Sequence, residues 1–391
     1  MAVPAVHVIT PGDHFSPSTG SAVPTVVHGL ASATPLGAPR TRVAVARGTY
    51  EDRYPSADVL EYDQVRLRRL DRHTDAAAAR LGLSRRGARR VLAATLTGQE
   101  TWPASVVIGH NMPQLVPLVD TARHAPVLYV HNELLRTYST REAARVLDPA
   151  GAIVCVSRYI AERTASRLPV RLRDRVTVVG NGVDATLFRP DERVADETVE
   201  VVFVGRMLRE KAPDVLIDAL VRLNRPDIHV TLVGTVNFAP DAPLSEYERE
   251  LRRAAAPLGD RVTWLPFKAR ADVAEILRSA DVAVVPSRWP DPCPLTVLEG
   301  MASGAAMVAA RSGGIPDIVA DAGILVSPGD ADALAQALDA LATDRGLLAR
   351  QRSAARVHAV AHDWAWARST LDRELGRLGI DVAPPALAQD E

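Results

Sequence analysis

Residues 199–223 read VEVVFVGRMLREKAPDVLIDALVRL, and the run changes character halfway. Up to Val204 it is apolar and largely β-branched, which suits a strand buried on both faces of a sheet. From Pro213, a favoured first helical residue, a helical pattern continues to Leu223. The join carries Gly205, Arg206 and Lys211. A glycine at a strand-to-helix turn lets backbone approach a ligand closely. Two cations on one connecting loop can converge on a diphosphate, Arg as a fork of donors and Lys as a compact charge. Solvated loop cations are the plain alternative for this segment taken alone.

The same alternation spreads outward in both directions. Before this unit the sequence predicts strands at 5–10, 42–46, 105–109, 126–130, 152–156 and 175–179; after it, at 228–233, 261–265, 281–285, 305–309 and 323–326. Helical stretches at 213–223, 244–256, 270–279, 295–303 and 331–343 separate the later strands. Strands alternating with helices imply an α/β protein with doubly wound parallel sheets covered on both faces. At 391 residues two Rossmann-like domains are expected rather than one core. The polar stretch 186–198 breaks the pattern, giving a division into 1–188 and 189–365, a helix at 366–381 returning to the N-terminal domain, and a frayed tail at 382–391.

Bulk properties narrow the function. A hydrophobic fraction of 47% and a charged fraction of 24% are ordinary for a globular chain. The net charge of −1 gives no field that would select nucleic acid. Cys155 and Cys293 lack any CxxC spacing, so a zinc site, a redox motif and a disulfide framework are unsupported. The opening MAVPAVHVIT reads as a buried strand rather than a signal peptide, and no run approaches the ~20 apolar residues of a membrane span. A cytoplasmic protein is expected. The Arg-rich segment 66–92 reads as the solvated face of a helix, with a membrane-surface contact as its alternative.

Ligands of open parallel sheets bind beyond the carboxyl ends of the strands. The strand at 281–285 ends in Pro286-Ser287-Arg288-Trp289-Pro290-Asp291-Pro292-Cys293-Pro294. The prolines delay the helix until about Leu295 and Thr296, whose amides lack intrahelical partners and form an anion site helped by the helix dipole. Asp291 sits at the loop apex and Glu299 one turn into the helix. Carboxylates beside a phosphate site need hydrogen-bond donors, and sugar or ribose hydroxyls supply them.

The stretch PSRWPDPCPLTVLEGMASGAAMVAARSGGIPDIV (286–319), the loop FVGRMLREKAPDVLIDAL, the run VVGNGVDATLFRP and the strand CVSRYIAER occur in the order that resembles the family 4 retaining glycosyltransferases of GT-B fold. The likeness is strong over 150–380 and looser before it, where ITPGDHFSPSTGSAVPTVV and LYVHN are similar to the family's opening glycine loop and its strand ending in an active-site histidine. The resemblance implies a nucleotide-sugar donor, most often a UDP-sugar, a hydroxyl acceptor on a small molecule or glycan, two domains facing a cleft, and no metal or other cofactor. It implies that Arg206 and Lys211 neutralise the leaving diphosphate, that Glu299 holds the ribose, and that Asp291 contacts the donor sugar. Gly205 and the backbone at Leu295 and Thr296 would bind sugar or phosphate, Phe267 and Lys268 the base, and Gly20 and Ser21 the phosphates; His131 would face the reacting sugar, and His110 the acceptor more weakly. Departures from the family pattern are Asp291 and Asp317 in place of Glu, Pro266 and Pro294 in place of Gly, and a single glycine, Gly20, in the N-terminal loop. Two other readings stay open: a nucleotide-sugar epimerase on the same architecture, and a nucleotide-sugar-binding protein that has lost transfer.

Three tempting signals are set aside. Gly180-Asn181-Gly182-Val183-Asp184-Ala185 matches a dinucleotide fingerprint, but Phe188 and Pro190 follow where a helix is required. Asp330-Ala331-Asp332 opens a helix, where Asp serves as an N-cap rather than a metal ligand. Trp364 and Trp366 are expected to anchor a C-terminal helix by packing.

Overall fold

The computed structural model describes residues 3–191, 197–239 and 241–381. The chain forms two compact units: Met1–Asn181 together with the chain from Trp364 onward, and Gly182–Asp363.

The first unit holds a seven-stranded sheet: β1 (Ala5–Val8), β2 (Arg42–Ala46), β3 (Asp58–Tyr62), β4 (Ser105–His110), β5 (His124–Val130), β6 (Ala152–Cys155) and β7 (Val176–Val178), in the order β3-β2-β1-β4-β5-β6-β7. Every ladder is parallel. Strands β1 and β4 are buried throughout, as the unbroken apolar runs AVHV and SVVIG require. The helix Trp364–Arg377 packs on the helix Ala22–Ser32. Gly29 makes the contact possible, since a Cβ there would lie 2.1 Å from the Trp364 ring; Trp366 lies over Gly180, 3.3 Å from where its Cβ would be. Both tryptophans therefore pack.

The second unit repeats the plan with β8 (Val199–Val204), β9 (Ile228–Val233), β10 (Val262–Leu265), β11 (Val282–Val285), β12 (Ala306–Ala310) and β13 (Ile324–Val326), in the order β10-β9-β8-β11-β12-β13. All its ladders are parallel too. Alternate residues of β8 enter different layers: Val199, Val201 and Phe203 join Leu216, Leu220 and Leu334, while Val202 joins Ala283, Leu298 and Met301. Covering both faces is what makes the strand apolar at nearly every position. Asp330 accepts from the Ala333 amide at 2.9 Å, an N-cap as its sequence context indicated.

The structure departs from the sequence reading in three places. Strand β3, DVLEY, was not anticipated; it is an edge strand whose half-exposed, mixed residues carry little of the buried-strand signal. The chain passes between units at 181/182 rather than 188/189, because Val183 and Phe188 are buried in the core of the second unit, and it returns at 363/364 rather than 365/366. The segment 66–92 is two helices, Asp71–Arg80 and part of Arg86–Ala94, rather than one; the first buries no residue, and Leu70, Leu81 and Leu83 stand exposed around it. The tail 382–391 lies outside the described residues.

Candidate active site

In each sheet the strand order reverses between the first and fourth strands in sequence, at β1/β4 and at β8/β11. The loops leaving the carboxyl ends of those strands flank the crevice where open α/β sheets take ligands. The residues singled out from sequence lie on those loops and their neighbours.

In the second unit, close backbone approach builds the site. Gly205 donates its amide to Val233 at 3.0 Å, and Gly234, at φ +132°, passes so near that a Cβ would stand 2.1 Å from the Gly205 carbonyl. The loop after β11 is fastened to the loop after β8: the amides of Arg288 and Trp289 donate to the Glu210 carbonyl at 3.0 and 3.2 Å, and the Arg288 guanidinium grips Asp214 at 2.8 and 2.7 Å. The loop after β12 closes the other side. Gly314 donates to the Asp291 carbonyl at 2.8 Å, Ser312 Oγ donates to the Trp289 carbonyl at 2.8 Å, and Gly313 sits at φ +58° where a Cβ would come within 2.3 Å of Asp291 backbone. Three successive strand ends thus hold one buried carboxylate, Asp291, and the Lys211 ammonium donates to it.

The helix Leu295–Ala302 begins four residues beyond Asp291. Pro294 precedes it and offers no side-chain acceptor to the first amides, so the half-buried tip at Leu295 and Thr296 keeps its partial positive charge. Glu299 is 4% exposed, and its Oε1 lies 2.6 Å from the Arg270 guanidinium without in-line hydrogen-bond geometry at that contact. Arg270 also lies over the Phe188 ring, 5.0 Å from its centroid. Arg206 is exposed, and its guanidinium has no hydrogen-bond or ion-pair partner among the described residues. Phe267, after β10, meets Phe238 edge to face at 5.7 Å, and Lys268 follows it half-buried.

In the first unit, Ser21 is the N-cap of the helix Ala22–Ser32 but does not cap with its side chain; its Oγ donates to Asp13 at 3.4 Å, and burial holds the Asp13 carboxyl above its usual range. Gly20 precedes it, half-buried. His131 follows β5, and its amide donates to Asn111 Oδ1 at 2.7 Å. Its Nε2 lies 2.8 Å from Nδ1 of His110, whose Nε2 lies 2.8 Å from Nδ1 of His7. Burial pushes His7 and His131 down to about 3 and His110 well below its ordinary value. The His110 ring, weakly assigned to the acceptor, is fully buried, with both nitrogens within hydrogen-bond distance of other imidazoles.

Lys211 and Asp291 are therefore brought together, the helix start at Leu295 lies four residues beyond Asp291 in the chain, and Arg206 is exposed. Sequence reasoning missed Arg270, Phe238 and His7, and took Gly313 only as part of the Gly-Gly-x-Pro segment without giving it a role. Arg270 carried a usable signal: it is the first residue of the helix Arg270–Arg278, where a cation opposes the dipole and needs a compensating anion. Gly313 had one too, as the first glycine of a Gly-Gly pair between a strand and a helix.

Comparison with known proteins gives a consistent result. Residues 184–358 match the family model described as glycosyl transferases group 1. D-inositol 3-phosphate glycosyltransferase of Stackebrandtia nassauensis is 33% identical over 75% of this chain and 68% of its own length; that of Mycobacteroides abscessus is 32% identical over 74% and 66%. Spore coat protein SA of Bacillus subtilis is 29% identical over 54% of this chain and 60% of its own. The chain thus spans about two thirds of the length of these curated relatives. Among solved structures, Anabaena HepE in complex with UDP and glucose superposes with a TM-score of 0.70 at 17% identity, covering 95% of this chain and 99% of that one. Sucrose-phosphate synthase from Thermosynechococcus elongatus gives 0.69 at 19%, covering 96% and 99%. Two parallel Rossmann-like sheets, the matched family model and a relative one-third identical lead to one conclusion: the chain belongs to the group 1 glycosyl transferases, the family 4 glycosyltransferases of GT-B fold.

Proposed function

We propose that this glycosyltransferase moves a hexose-type sugar from a UDP-sugar to a hydroxyl of a small molecule or glycan, with retention of configuration and without a resident metal. The observation that carries the reading is the Lys211–Asp291 ion pair set against the open tip of the helix Leu295–Ala302. A donor diphosphate entering there takes over the Lys211 ammonium and meets the first helix amides, while Arg206 supplies a second charge from solvent. Asp291 is released to accept from sugar hydroxyls. Glu299, held by Arg270, accepts from the ribose, and Phe267 with Phe238 offers an aromatic surface to the base.

Catalysis on this plan is electrostatic: Lys211, Arg206 and the helix tip stabilise charge on the departing phosphate, and a phosphate oxygen takes the acceptor proton. His131 donates to a sugar hydroxyl and fixes its orientation. Gly20 and Ser21 contribute backbone to the phosphates. That HepE was solved with UDP and glucose supports UDP-glucose as the first donor to try, and the inositol phosphate relatives support a phosphorylated cyclitol as the first acceptor.

The test is a thermal-shift panel of UDP, GDP, ADP and TDP sugars, followed by transfer to hydroxyl acceptors in the presence of a chelator. A ligand at a hundred times its dissociation constant adds about 2.7 kcal/mol of stability, which such a panel reads easily. Stabilisation by a UDP-sugar and chelator-resistant transfer with retained configuration are expected. Conversion of donor alone would indicate an epimerase, and binding without turnover on any acceptor would indicate a protein that has lost transfer.

A further inference from the structure

His7, His110 and His131 lie on one diagonal of the first sheet. In the parallel register His7 pairs with Ile108, and His110 pairs with Tyr129, so each step to the next strand moves two residues toward the carboxyl edge and stays on the same face. Successive ring centroids are 5.1 Å apart and tilted by 24° and 28°, close enough to coplanar for N–H to N bonds along the file. Tyr129 stacks on His110 and His131 at 5.2 and 4.7 Å and walls the file on one side.

A neutral imidazole has one donor nitrogen and one acceptor nitrogen. Two N–H to N bonds joining three neutral rings therefore allow only two arrangements: all three protonated on Nδ1, or all three on Nε2. The rings cannot choose independently. The charges around the file select between the two. Arg368, held by Asp372 at 2.9 and 3.0 Å and by Thr34 at 3.0 Å, is buried, and its charge bears on His7, the first ring of the file. A cation at the His7 end favours a lone pair there and an N–H at the opposite end of the file.

We propose that His7 and His110 are positioning residues that lock His131 as its Nδ1–H tautomer, so that the ring presents a fixed donor at the carboxyl edge of the sheet. This rests on the reading of His131 as the group that orients a donor-sugar hydroxyl. A histidine that could equally present a lone pair would spend part of its time unable to donate. Here a chain of imidazoles does what a carboxylate does in other catalytic triads, and it does so without placing a negative charge beside the site.

Two measurements test it. Long-range proton–nitrogen correlation spectra of the full-length, 15N-histidine-labelled protein at neutral pH report each tautomer directly, with His7→Phe and His110→Phe providing assignments. All three buried rings are expected with a pyrrole-type Nδ1 and a pyridine-type Nε2. An Nε2–H ring at His131, or a charged ring in the file, would overturn the proposal. In kinetics with UDP-glucose, read as UDP release, His110→Phe is expected to lower kcat on the order of tenfold or more with donor KM little changed, as loss of a tautomer-fixing group does. His110→Asn, whose amide nitrogen stands where Nδ1 was, should recover part of it. Unchanged kcat in a folded His110→Phe protein, or no advantage of Asn over Phe, would overturn the proposal. Full activity in His131→Ala would instead sink the catalytic reading of His131, while the spectra of the unmodified protein still decide the tautomer.

Discussion

Lys211 and Asp291 attract one another, and on the proposed mechanism a donor diphosphate would compete with that attraction. Lys211→Ala is expected to lower turnover by orders of magnitude and also to cost stability, because it leaves the buried Asp291 carboxylate unpaired; normal kinetics in that variant would remove Lys211 from the mechanism. Glu299 is in the same position. Replacing it by Ala strands the Arg270 guanidinium next to a buried surface, and breaking such pairs costs about 3 kcal/mol. Both variants should lose stability, but Glu299→Ala should act mainly on donor affinity and Lys211→Ala mainly on turnover, a contrast that calorimetry and steady-state kinetics on the two proteins can read. These paired charges were half visible in the sequence. Lys211, Asp291 and Glu299 stood out because they occupy strand-end loops, but Arg270 did not, since what identifies it is a partner distant in sequence.

At the level of elements, the loops after β8, β11 and β12 act as one body because glycines remove the atoms that would hold them apart. Gly313→Ala demands both a left-handed backbone and space that Asp291 occupies. The expected result is a displaced loop and weakened donor binding, with a stability cost of roughly 1–3 kcal/mol, measurable by denaturant unfolding with and without UDP. The strands of the first sheet carry a pH dependence. His7 and His131 titrate at about 3 when folded and at the ordinary 6.5 when unfolded, so below 6.5 the unfolded chain binds protons that the folded chain refuses. Each ring removes about 1.4 kcal/mol per pH unit as pH falls through that window. Melting temperature should hold above neutral pH, fall steeply below pH 6, and fall less steeply in His7→Phe. Twelve of the thirteen strands among the described residues begin and end within two residues of their expected limits, since buried parallel strands are apolar at nearly every position. The histidine file escaped notice because it is a register property: three residues far apart in sequence become neighbours only once β1, β4 and β5 are laid side by side.

For the whole molecule, the first unit is discontinuous in sequence, completed by a helix that follows the entire second unit. The sequence showed two α/β halves but placed the crossings late, because Val183 and Phe188 look like linker until the core they fill is known. Trp364 is the joint of that returning helix, seated on Gly29. Trp364→Ala is expected to cost about 3–5 kcal/mol, as large buried aromatics do, with the loss confined to the first unit; hydrogen exchange should show β1 and the helix Ala22–Ser32 opening while β8 and β11 stay protected. This connectivity also sets an order of events during synthesis. Residues 182–363 are all available before Trp364 leaves the ribosome, so the half encoded second can finish folding first. The half encoded first must meanwhile keep the Gly29 face of its helix uncovered, so its last packing step waits on the final residues of the chain to emerge.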